Sequence, residues 1–435
     1  MIDLARTLRD LYHTEEGGTA FALDGLVEAD VLEKWLQLGV LGQTSNQSLF
    51  LAKVTAGLLD AEIAALHGEG KTPEEIFNLL YNQEALDSAR ALERWVDARD
   101  SLAFSRETDA TRAADGSAIA AEAQRIQAIS PWLLVKLANV GPSPEAIRAM
   151  ISQAVEGGGE SGRLVNPNIT LVFGANHYIN TVWGYVDGLE AVASRGIDVS
   201  ATRSVNSLFV SRLDTVVDGL IDKQLENSTS PSDRDLLKHL RGKTAIAHAK
   251  KIYQMSRAIF LGEEFQDPQN LFTEIHASIE SLRTRFAKLE KGPIQRVLIA
   301  SSGNKQSGVY SDLIYVLPFF GPHLGNTLPA KTLQVLEDRL KQTGIPMRPT
   351  VMDPIPWMVQ EAETIGRWEE AVSTGTGALK TADEILSLVR ERVLAPDETS
   401  LTQISDDLRD KGAKSFAQDQ VKAYEVFHQK VENLG

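Results

Sequence analysis

Residues 132–138 have the sequence WLLVKLA, an almost continuous apolar run with one lysine inside it. Similar runs recur along the chain, and longer amphipathic stretches separate them. Strands that are apolar on both faces are typical of a parallel sheet covered by helices. The other runs predicted to be strands are FALDG (21–25), GVLGQT (39–44), LAFSRE (102–107), NITLVFG (168–174), SVNSLFVS (204–211) and RVLIASS (296–302), with an eighth expected near residues 325–328.

The stretches between these runs carry helix start signals. TPEE (72–75) and SPE (143–145) each place a capping hydroxyl before a proline at the first helical position. Ser232 followed by Asp235 resembles a capping box and predicts a long helix that runs to about residue 261. Alternating strands and helices, without a Gly-rich dinucleotide fingerprint after the first strand, favour a (β/α)8 barrel of the TIM type over an open sheet.

The predicted organisation is a single barrel domain that spans residues 1–435. A chain of this length suits a barrel with insertions, since such barrels run from about 200 to more than 400 residues. We expect a helical insertion at about 47–100 and a helical C-terminal elaboration at about 346–435. A separate helical C-terminal domain is the alternative.

The composition excludes several classes of protein. With 44 Lys and Arg against 59 Asp and Glu, the net charge of −15 repels nucleic acid and anionic membranes at long range. The chain has no cysteine, and its 8 histidines show no HxH or HExxH spacing, so no metal site is predicted. Neither a signal peptide nor the ~20 apolar residues needed to span a bilayer is apparent. We therefore predict a soluble, cytoplasmic protein without nucleic-acid or membrane partners, and the sequence leaves a homo-oligomer open.

Barrel enzymes carry their chemistry at the carboxyl ends of the strands, so polar residues inside or just after the apolar runs are the candidates. Lys136 is the most informative because it interrupts an apolar strand. Burying an ammonium group is costly unless it is paired or loses its proton, and a desolvated neutral amine is a nucleophile suited to Schiff bases. The alternative is a lysine at a strand end whose amine reaches solvent.

Asp24 and Glu107, at the ends of the first and third predicted strands, are candidate acid/base groups. A Schiff-base route needs one group to shuttle protons while the carbinolamine loses water. It needs another to take a hydroxyl proton when the carbon–carbon bond breaks. Two carboxyl groups beside a lysine in one barrel could supply both. Considered alone, each is more simply explained as a helix cap or a solvated loop residue.

The remaining polar candidates suit a phosphorylated, hydroxyl-rich ligand. Neutral side chains supply the donors and acceptors that sugar hydroxyls need, and guanidinium or ammonium groups hold phosphate. Taken singly, such residues are also common in turns, in helix caps and on surfaces. The neutral set is Thr44, Asn46, Asn168, Thr170 and Ser207, and the cationic set is Arg212 and Lys305.

Other polar residues are expected to be structural. His177 and His248 lie in helical stretches, and the pair Lys250-Lys251 is expected on a solvated helix face. Arg106, beside Glu107 in a predicted strand, is unexplained by the sequence.

Taken in order, these segments resemble the transaldolase family, in particular its longer bacterial type. The resemblance covers residues 24–416, and its specificity lies in the order of the motifs. The chain departs from the family pattern at Gln47, where the family has proline, at Gly174 and Asn304, and in the residues after Lys136. The matching segments are LDGL (23–26) with Asp24, GQTSNQSLF (42–50) with Thr44 and Asn46, FSRE (104–107) with Glu107, LLVKL (133–137) with Lys136, NPNITLVF (166–173) with Asn168 and Thr170, SLFVSRLDTVVD (207–218) with Ser207, Phe209 and Arg212, SSGNK (301–305) with Lys305, YSDLIYV (310–316), GPHLGNTLP (321–329) and SLTQISDDLRDKGAKSF (400–416).

The resemblance implies an enzyme that transfers a dihydroxyacetone unit between sugar phosphates through a Schiff base on Lys136, with Glu107 and Asp24 as the proton-transfer groups. In the family, this reaction interconverts sedoheptulose 7-phosphate and fructose 6-phosphate within the pentose phosphate pathway, without a metal or organic cofactor. The residues that the resemblance assigns to substrate binding are Thr44, Asn46, Asn168, Thr170, Ser207 and Phe209, with Arg212 and Lys305 at the phosphate.

Three alternatives stay open at this point. A related Schiff-base aldolase would hydrolyse the three-carbon intermediate instead of transferring it. A transaldolase-like enzyme could act on an unusual sugar in a specialised pathway. A non-catalytic member could bind a sugar phosphate or a partner protein, although the intact set of Asp24, Glu107 and Lys136 argues against it.

Overall fold

The computed structural model describes residues 3–13, 18–98, 100–157, 164–289 and 292–434. At its centre is a closed barrel of eight parallel strands, in which the last strand pairs with the first. Helices surround it, which confirms the predicted (β/α)8 barrel. The strands are β1 (Thr19–Asp24), β2 (Gly42–Thr44), β3 (Ala103–Glu107), β4 (Leu133–Ala138), β5 (Pro167–Val172), β6 (Ser204–Phe209), β7 (Gln295–Ala300) and β8 (Leu324–Pro329).

The helices connect the strands and continue after the last of them. They are α1 (Leu8–Tyr12), α2 (Ala29–Leu38), α3 (Gln47–Thr55), α4 (Asp60–Gly68), α5 (Pro73–Trp95), α6 (Gly116–Ile129), α7 (Pro144–Gly157), α8 (Ala175–Ser194), α9 (Ser211–Asn227), α10 (Pro231–Leu240), α11 (Thr244–Leu261), α12 (His276–Phe286), α13 (Ala330–Gln342), α14 (Ile365–Thr374), α15 (Ala382–Val389) and α16 (Leu401–Glu432). A π-helical segment, Arg390–Leu394, follows α15. Two short antiparallel ladders, Leu4–Ala5 with Ile345–Pro346 and Ile355–Pro356 with Leu379–Lys380, add strand structure to the C-terminal region.

The eighth strand has a weak sequence signal because its residues serve packing and polar contacts. A Cβ on Gly325 would lie 2.8 Å from Leu298 Cδ1, so any larger residue there would require the Leu298 side chain to shift. Asn326 donates a hydrogen bond from its side chain to the backbone oxygen of Tyr315 at 2.8 Å. Neither residue contributes to the apolar run that marks the other strands.

The long helix predicted from Ser232 to residue 261 is wrong in two respects. Its first turn is capped by Ser230, whose hydroxyl accepts from the Asp233 backbone at 3.3 Å. The helix also ends at Leu240, because Gly242 has a φ of 66° and its N–H donates to Asp218. A second helix, α11, begins at Thr244.

Helices α3, α4 and α5 pack against the C-terminal part of α16 in a second apolar cluster beside the barrel. Its aromatic centre is formed by Phe50, Phe77, Tyr81 and Phe427. The rings of Phe50 and Tyr81 stack with centroids 4.7 Å apart, and Phe77 meets Phe427 edge-on at 5.5 Å. This cluster anchors α16 to the helices that follow β2.

The pair Lys250-Lys251 is buried, which corrects the prediction of a solvated face. Lys250 donates hydrogen bonds to the backbone oxygens of Pro318 and Thr350, at 3.2 and 2.5 Å. Burial lowers the pKa of Lys250 to about 7. The Lys251 side chain is 0% exposed and lies 3.0 Å from a carboxylate oxygen of Asp383 on α15. The hydrogen bond from Lys250 to Thr350 and the ion pair of Lys251 with Asp383 therefore connect α11 to the C-terminal region.

Substituting Asp383→Leu should destabilise the protein by about 3–5 kcal/mol, because it leaves the Lys251 ammonium buried without its counter-ion. Thermal unfolding followed by circular dichroism measures the change. In the double variant Lys251→Met/Asp383→Leu we expect most of the lost stability to return, since two apolar side chains of similar size then meet. A double variant as unstable as Asp383→Leu would contradict the role of the pair.

Candidate active site

A cavity of about 170 Å³ opens at the carboxyl ends of the barrel strands. All of the predicted site residues except Glu107 and Asn168 line it, and these two lie against residues that do. The lining comprises Asp24, Thr44, Asn46, Lys136, Thr170, Ser207, Phe209, Arg212, Ala300, Ser301, Gly303, Lys305, Thr327, Pro329 and Phe416. The barrel thus brings together side chains from strands that are distant in sequence.

Lys136 lies on β4 and is 6% exposed. Its amine donates a hydrogen bond to the backbone oxygen of Ser45 at 3.1 Å and lies 5.7 Å from the centre of the Phe416 ring. Because β4 is covered on both faces, the amine can only point into the barrel cavity or its wall, and it lines the cavity. It does not reach solvent as a strand-end lysine would.

Glu107 ends β3, in register with Lys136 on the neighbouring strand. Its Oε2 accepts a hydrogen bond from the Gln47 backbone N–H at 3.3 Å, and Oε1 has no hydrogen-bond partner among the described residues. Burial raises the pKa of Glu107, and the charge of Lys136 and the Gln47 hydrogen bond oppose that rise. A carboxyl group whose pKa is raised by burial holds its proton more readily and can donate it to a leaving hydroxyl group.

Asp24 ends β1, opposite Thr44 of β2. Its Oδ1 accepts a hydrogen bond from the Thr44 hydroxyl at 3.0 Å, and that hydroxyl lies 2.9 Å from the hydroxyl of Thr327 on β8. Burial raises the pKa of Asp24, while Lys136, the Thr44 hydrogen bond and the more distant Lys305 and Arg212 lower it. The carboxyl group therefore faces the cavity with cations around it.

Asn168 and Ser207 form a hydrogen-bonded layer below the cavity. The Ser207 hydroxyl donates to the side-chain oxygen of Asn168 at 2.7 Å, and the Asn168 amide donates to the Ser105 hydroxyl at 2.9 Å. Thr170, on the same strand as Asn168, is fully buried and its hydroxyl has no hydrogen-bond partner among the described residues. It can donate to a bound ligand.

Asn46 caps α3, where its side-chain oxygen accepts from the Leu49 backbone at 3.0 Å. This cap leaves the Asn46 amide group free to face the cavity that the residue lines. Asn46 can therefore cap α3 with its side-chain oxygen and bind a ligand with its amide group at the same time.

Two cationic residues, Arg212 and Lys305, lie at the rim of the cavity. The Arg212 guanidinium lies 5.3 Å from the ring centre of Phe209, and both residues line the cavity. Lys305 follows β7 on a loop that Asn304 shapes, since the Asn304 side chain bonds to the backbone of Tyr310 and Gln306, both at 2.8 Å. Arg212 and Lys305 together can hold a phosphate group.

Helix α16 crosses the open end of the barrel and closes one side of the cavity with Phe416. It approaches β5 closely, because a Cβ on Gly412 would lie 2.9 Å from Leu171 Cδ2. Leu171 has a φ of 61° at a register irregularity of β5, a conformation that non-glycine residues rarely adopt. The residues around the cavity that the sequence did not single out include Phe416 and Thr327 of the lining and Ser45, whose backbone oxygen accepts the Lys136 hydrogen bond.

The transaldolase/fructose-6-phosphate aldolase family model matches residues 23–427. The chain belongs to this family. It is 31% identical to the transaldolase of Trichodesmium erythraeum, over 75% of this chain and 81% of that protein. It is 30% identical to transaldolase 2 of a Nostoc species, over 78% of this chain and 85% of that protein. With the transaldolase of Mycolicibacterium smegmatis it shares 29% identity over 70% of this chain and 73% of the relative. Membership of this family makes the chain an enzyme of the transaldolase type, as the sequence predicts.

Two departures from the transaldolase pattern have structural explanations. Gln47 supplies the backbone N–H that bonds to Glu107, a donor that proline lacks. Gly174 caps α8 beneath α16, where a Cβ would lie 2.6 Å from the Ser405 hydroxyl oxygen. The first departure changes the surroundings of a proposed catalytic group, and the second allows α16 to pack closely.

Arg106, which the sequence left unexplained, points away from the barrel interior. Strand alternation puts Ser105 and Glu107 on the inner face and Arg106 on the outer face, towards α5. Its guanidinium lies 3.8 Å from the centre of the Tyr81 ring and donates to Asn82 and to the backbone oxygen of Glu107. Arg106 thus fixes the backbone that carries Glu107.

In the part of the chain that the structure describes, every helix is too short or too polar to span a bilayer, and no three His, Asp or Glu side chains are placed to hold a metal ion.

Proposed function

We propose that this enzyme transfers a dihydroxyacetone unit from a ketose phosphate to an aldose phosphate through a Schiff base on Lys136. The observation that carries the proposal is the buried amine of Lys136 in a polar barrel cavity, with the carboxyl groups of Asp24 and Glu107 close enough for its charge to act on both. A lysine amine is the side chain that forms Schiff bases with ketones.

The first half of the reaction attaches the donor sugar. The amine of Lys136 attacks the ketose carbonyl carbon, and the carbinolamine then loses its hydroxyl group as water. Glu107, which lies beside Lys136 and has a raised pKa, supplies the proton for that departure. The products of this half are a protonated imine (an iminium) on Lys136, water and an ionised Glu107.

The second half breaks the carbon–carbon bond. Asp24 takes the proton of the C4 hydroxyl, the C3–C4 bond breaks, and its electron pair moves to the protonated imine to give a neutral enamine on Lys136. The aldose leaves, and an acceptor aldose reverses these steps. The layer of Asn168, Ser207 and Thr170 supports hydrogen bonds to the hydroxyls of the bound three-carbon unit.

The rim of the cavity supports phosphorylated substrates. Arg212 and Lys305 are the cations there, and Phe209 stacks beneath Arg212. We assign the substrate phosphate to these two side chains and Asn46 and Thr44 to the sugar hydroxyls. We propose sedoheptulose 7-phosphate and fructose 6-phosphate as the donors, which are sugar phosphates of the pentose phosphate pathway. The proposed compartment is the cytoplasm, and no nucleic-acid partner is proposed.

Borohydride trapping tests this proposal. The protein is incubated with fructose 6-phosphate, reduced, and mapped by intact and peptide mass. A reduced three-carbon adduct on the peptide of Lys136 is the expected result. Omitting the acceptor aldose then separates transfer from hydrolysis, since a hydrolysing aldolase would release free dihydroxyacetone at the rate of cleavage. A folded protein without an adduct from any ketose phosphate would refute the Schiff-base route.

Replacing Lys305, at the rim of the cavity, should move the acidic limb of the pH profile of kcat/KM. Asp24 must be ionised to act as a base, and the positive charge of Lys305 lowers the pKa of Asp24. In Lys305→Gln that pKa rises, so the acidic limb of kcat/KM moves to higher pH, by roughly a few tenths of a unit given the screening of exposed charges. The matched control is Lys331→Gln, an exposed lysine paired with Asp312. If the acidic limb of kcat/KM in Lys305→Gln stays in place or moves to lower pH, Asp24 is not the base.

A further inference from the structure

A second cavity, of about 240 Å³, lies outside the barrel between the first turns of α8 and α16. It shares no lining residue with the barrel cavity. Residues of α8, α11, α15, the π-helical segment and the start of α16 surround it. Nothing in the proposed transfer reaction uses it.

His248 of α11 is the unusual group in this cavity. It is 3% exposed, and neither ring nitrogen has a hydrogen-bond partner among the described residues. The ring edge between the two nitrogens faces the start of α8, because a Cβ on Gly174 would lie 3.7 Å from His248 Cε1. Buried polar nitrogens are almost always paired, so this imidazole points to a hydrogen-bonding ligand in the cavity.

Two helix N-termini converge on the same space. Helix α8 has 20 residues and starts at Ala175, and its N-cap residue Gly174 has no side chain to cap the N–H groups of the first turn. Helix α16 has 32 residues, and the hydroxyl of its N-cap residue Ser400 accepts a hydrogen bond from the Gln403 backbone N–H. Both helix dipoles therefore direct positive potential into the cavity.

The charged side chains around the cavity leave this potential largely uncompensated. Arg390, at the start of the π-helical segment, is an exposed lining residue. Glu274 is the acidic lining residue and is also exposed. His177 lines the cavity as well, but it bonds to Asp406 at 2.9 Å.

The wall opposite the helix N-termini is apolar. Leu271, Phe272, Leu386 and Leu394 form it, and the ring of Phe272 stacks on His248 with centroids 6.1 Å apart. A simple inorganic ion would leave this wall without contacts, whereas an organic anion with an apolar body would cover it.

We propose that this cavity binds a small amphipathic anion, whose carboxylate or phosphate group meets the first turns of α8 and α16, Arg390 and the His248 N–H, and whose apolar body packs on Phe272 and the leucines. Burial lowers the pKa of His248 to about 4. The imidazole is therefore neutral near pH 7 and offers one N–H to the anion and one lone pair to a hydroxyl or acid proton.

Calorimetric titration at pH 7 with phenyl phosphate, phenylacetate and inorganic phosphate tests the site. Phenyl phosphate or phenylacetate should bind saturably and more tightly than inorganic phosphate, and the tighter of the two identifies the anionic group. Arg390→Gln should weaken binding about tenfold, the effect of losing one charge-assisted contact. His248→Phe, which keeps an aromatic ring without nitrogens, should weaken it further.

Two controls locate the binding. Arg392→Gln removes a neighbouring arginine that does not line the cavity, and it should leave the affinity unchanged. Lys305→Gln removes a cation of the barrel cavity and should also leave it unchanged. Binding that is lost in Lys305→Gln and kept in His248→Phe belongs to the barrel cavity and overturns the proposal, as does the absence of saturable binding for all three probes. Binding is measured without turnover, so neither outcome depends on the transfer reaction.

Discussion

Replacement of Lys136 by methionine is expected to lower kcat by roughly four orders of magnitude or more, the size of effect seen when a catalytic nucleophile is removed. Methionine fills the volume of the lysine side chain, and 6% exposure makes an apolar replacement favourable at this position. The protein should therefore fold and bind sugar phosphate while forming no borohydride adduct. Steady-state kinetics, adduct mass and thermal unfolding measure the three properties.

The matched control is Lys331→Met, because this lysine is 77% exposed at the start of the helix after β8. It should retain activity and the adduct. A Lys136→Met protein with activity within tenfold of the parent would show that another group carries the reaction. If Lys136→Met is inactive because it does not fold, the same three properties are measured on Lys136→Arg, which keeps the charge and cannot form the Schiff base.

Asp24→Asn is expected to lower kcat by about 10²–10⁴-fold, because an amide cannot take the C4 hydroxyl proton. Asparagine keeps the hydrogen bond from Thr44, so the side chain should stay in place. Since Lys136 and Glu107 are intact, the Schiff base should still form. Reduction in the presence of fructose 6-phosphate should then trap the whole six-carbon donor on Lys136 instead of the three-carbon fragment.

The change of trapped mass distinguishes a base in cleavage from a group that only helps binding. Asp30→Asn, an exposed carboxylate in the first turn of α2, is the control and should give the three-carbon adduct. A three-carbon adduct at normal rate from Asp24→Asn would assign the cleavage proton to another residue. Loss of every adduct would place Asp24 in the first half of the reaction.

The barrel and its polar interior could be predicted because both depend on local sequence. Each strand is an apolar run, and a polar residue inside such a run, as at Lys136 and Thr170, must face the interior or be paired. The end of a strand likewise predicts the position of Asp24 and Glu107. The motif order of the transaldolase family added the roles that we propose for Lys136, Glu107 and Asp24.

Contacts between distant segments could not be predicted in this way. Lys250 and Lys251 follow a helical pattern typical of a solvated face, and their partners Thr350 and Asp383 lie 100 and 132 residues further along the chain. Phe416 belongs to a helix whose sequence does not state which strands it covers. The break at Gly242 depends on an Asp218 carboxylate 24 residues earlier.

The position of α16 also bears on how the chain folds. Its Asp419 accepts a hydrogen bond from Ser48, a contact that spans 371 residues of sequence. Contacts of such separation require the intervening chain to be ordered first, because closing long loops early is entropically unfavourable. We therefore expect the barrel to acquire its secondary structure before α16 docks, so that a refolding chain regains its circular dichroism signal ahead of its catalytic competence.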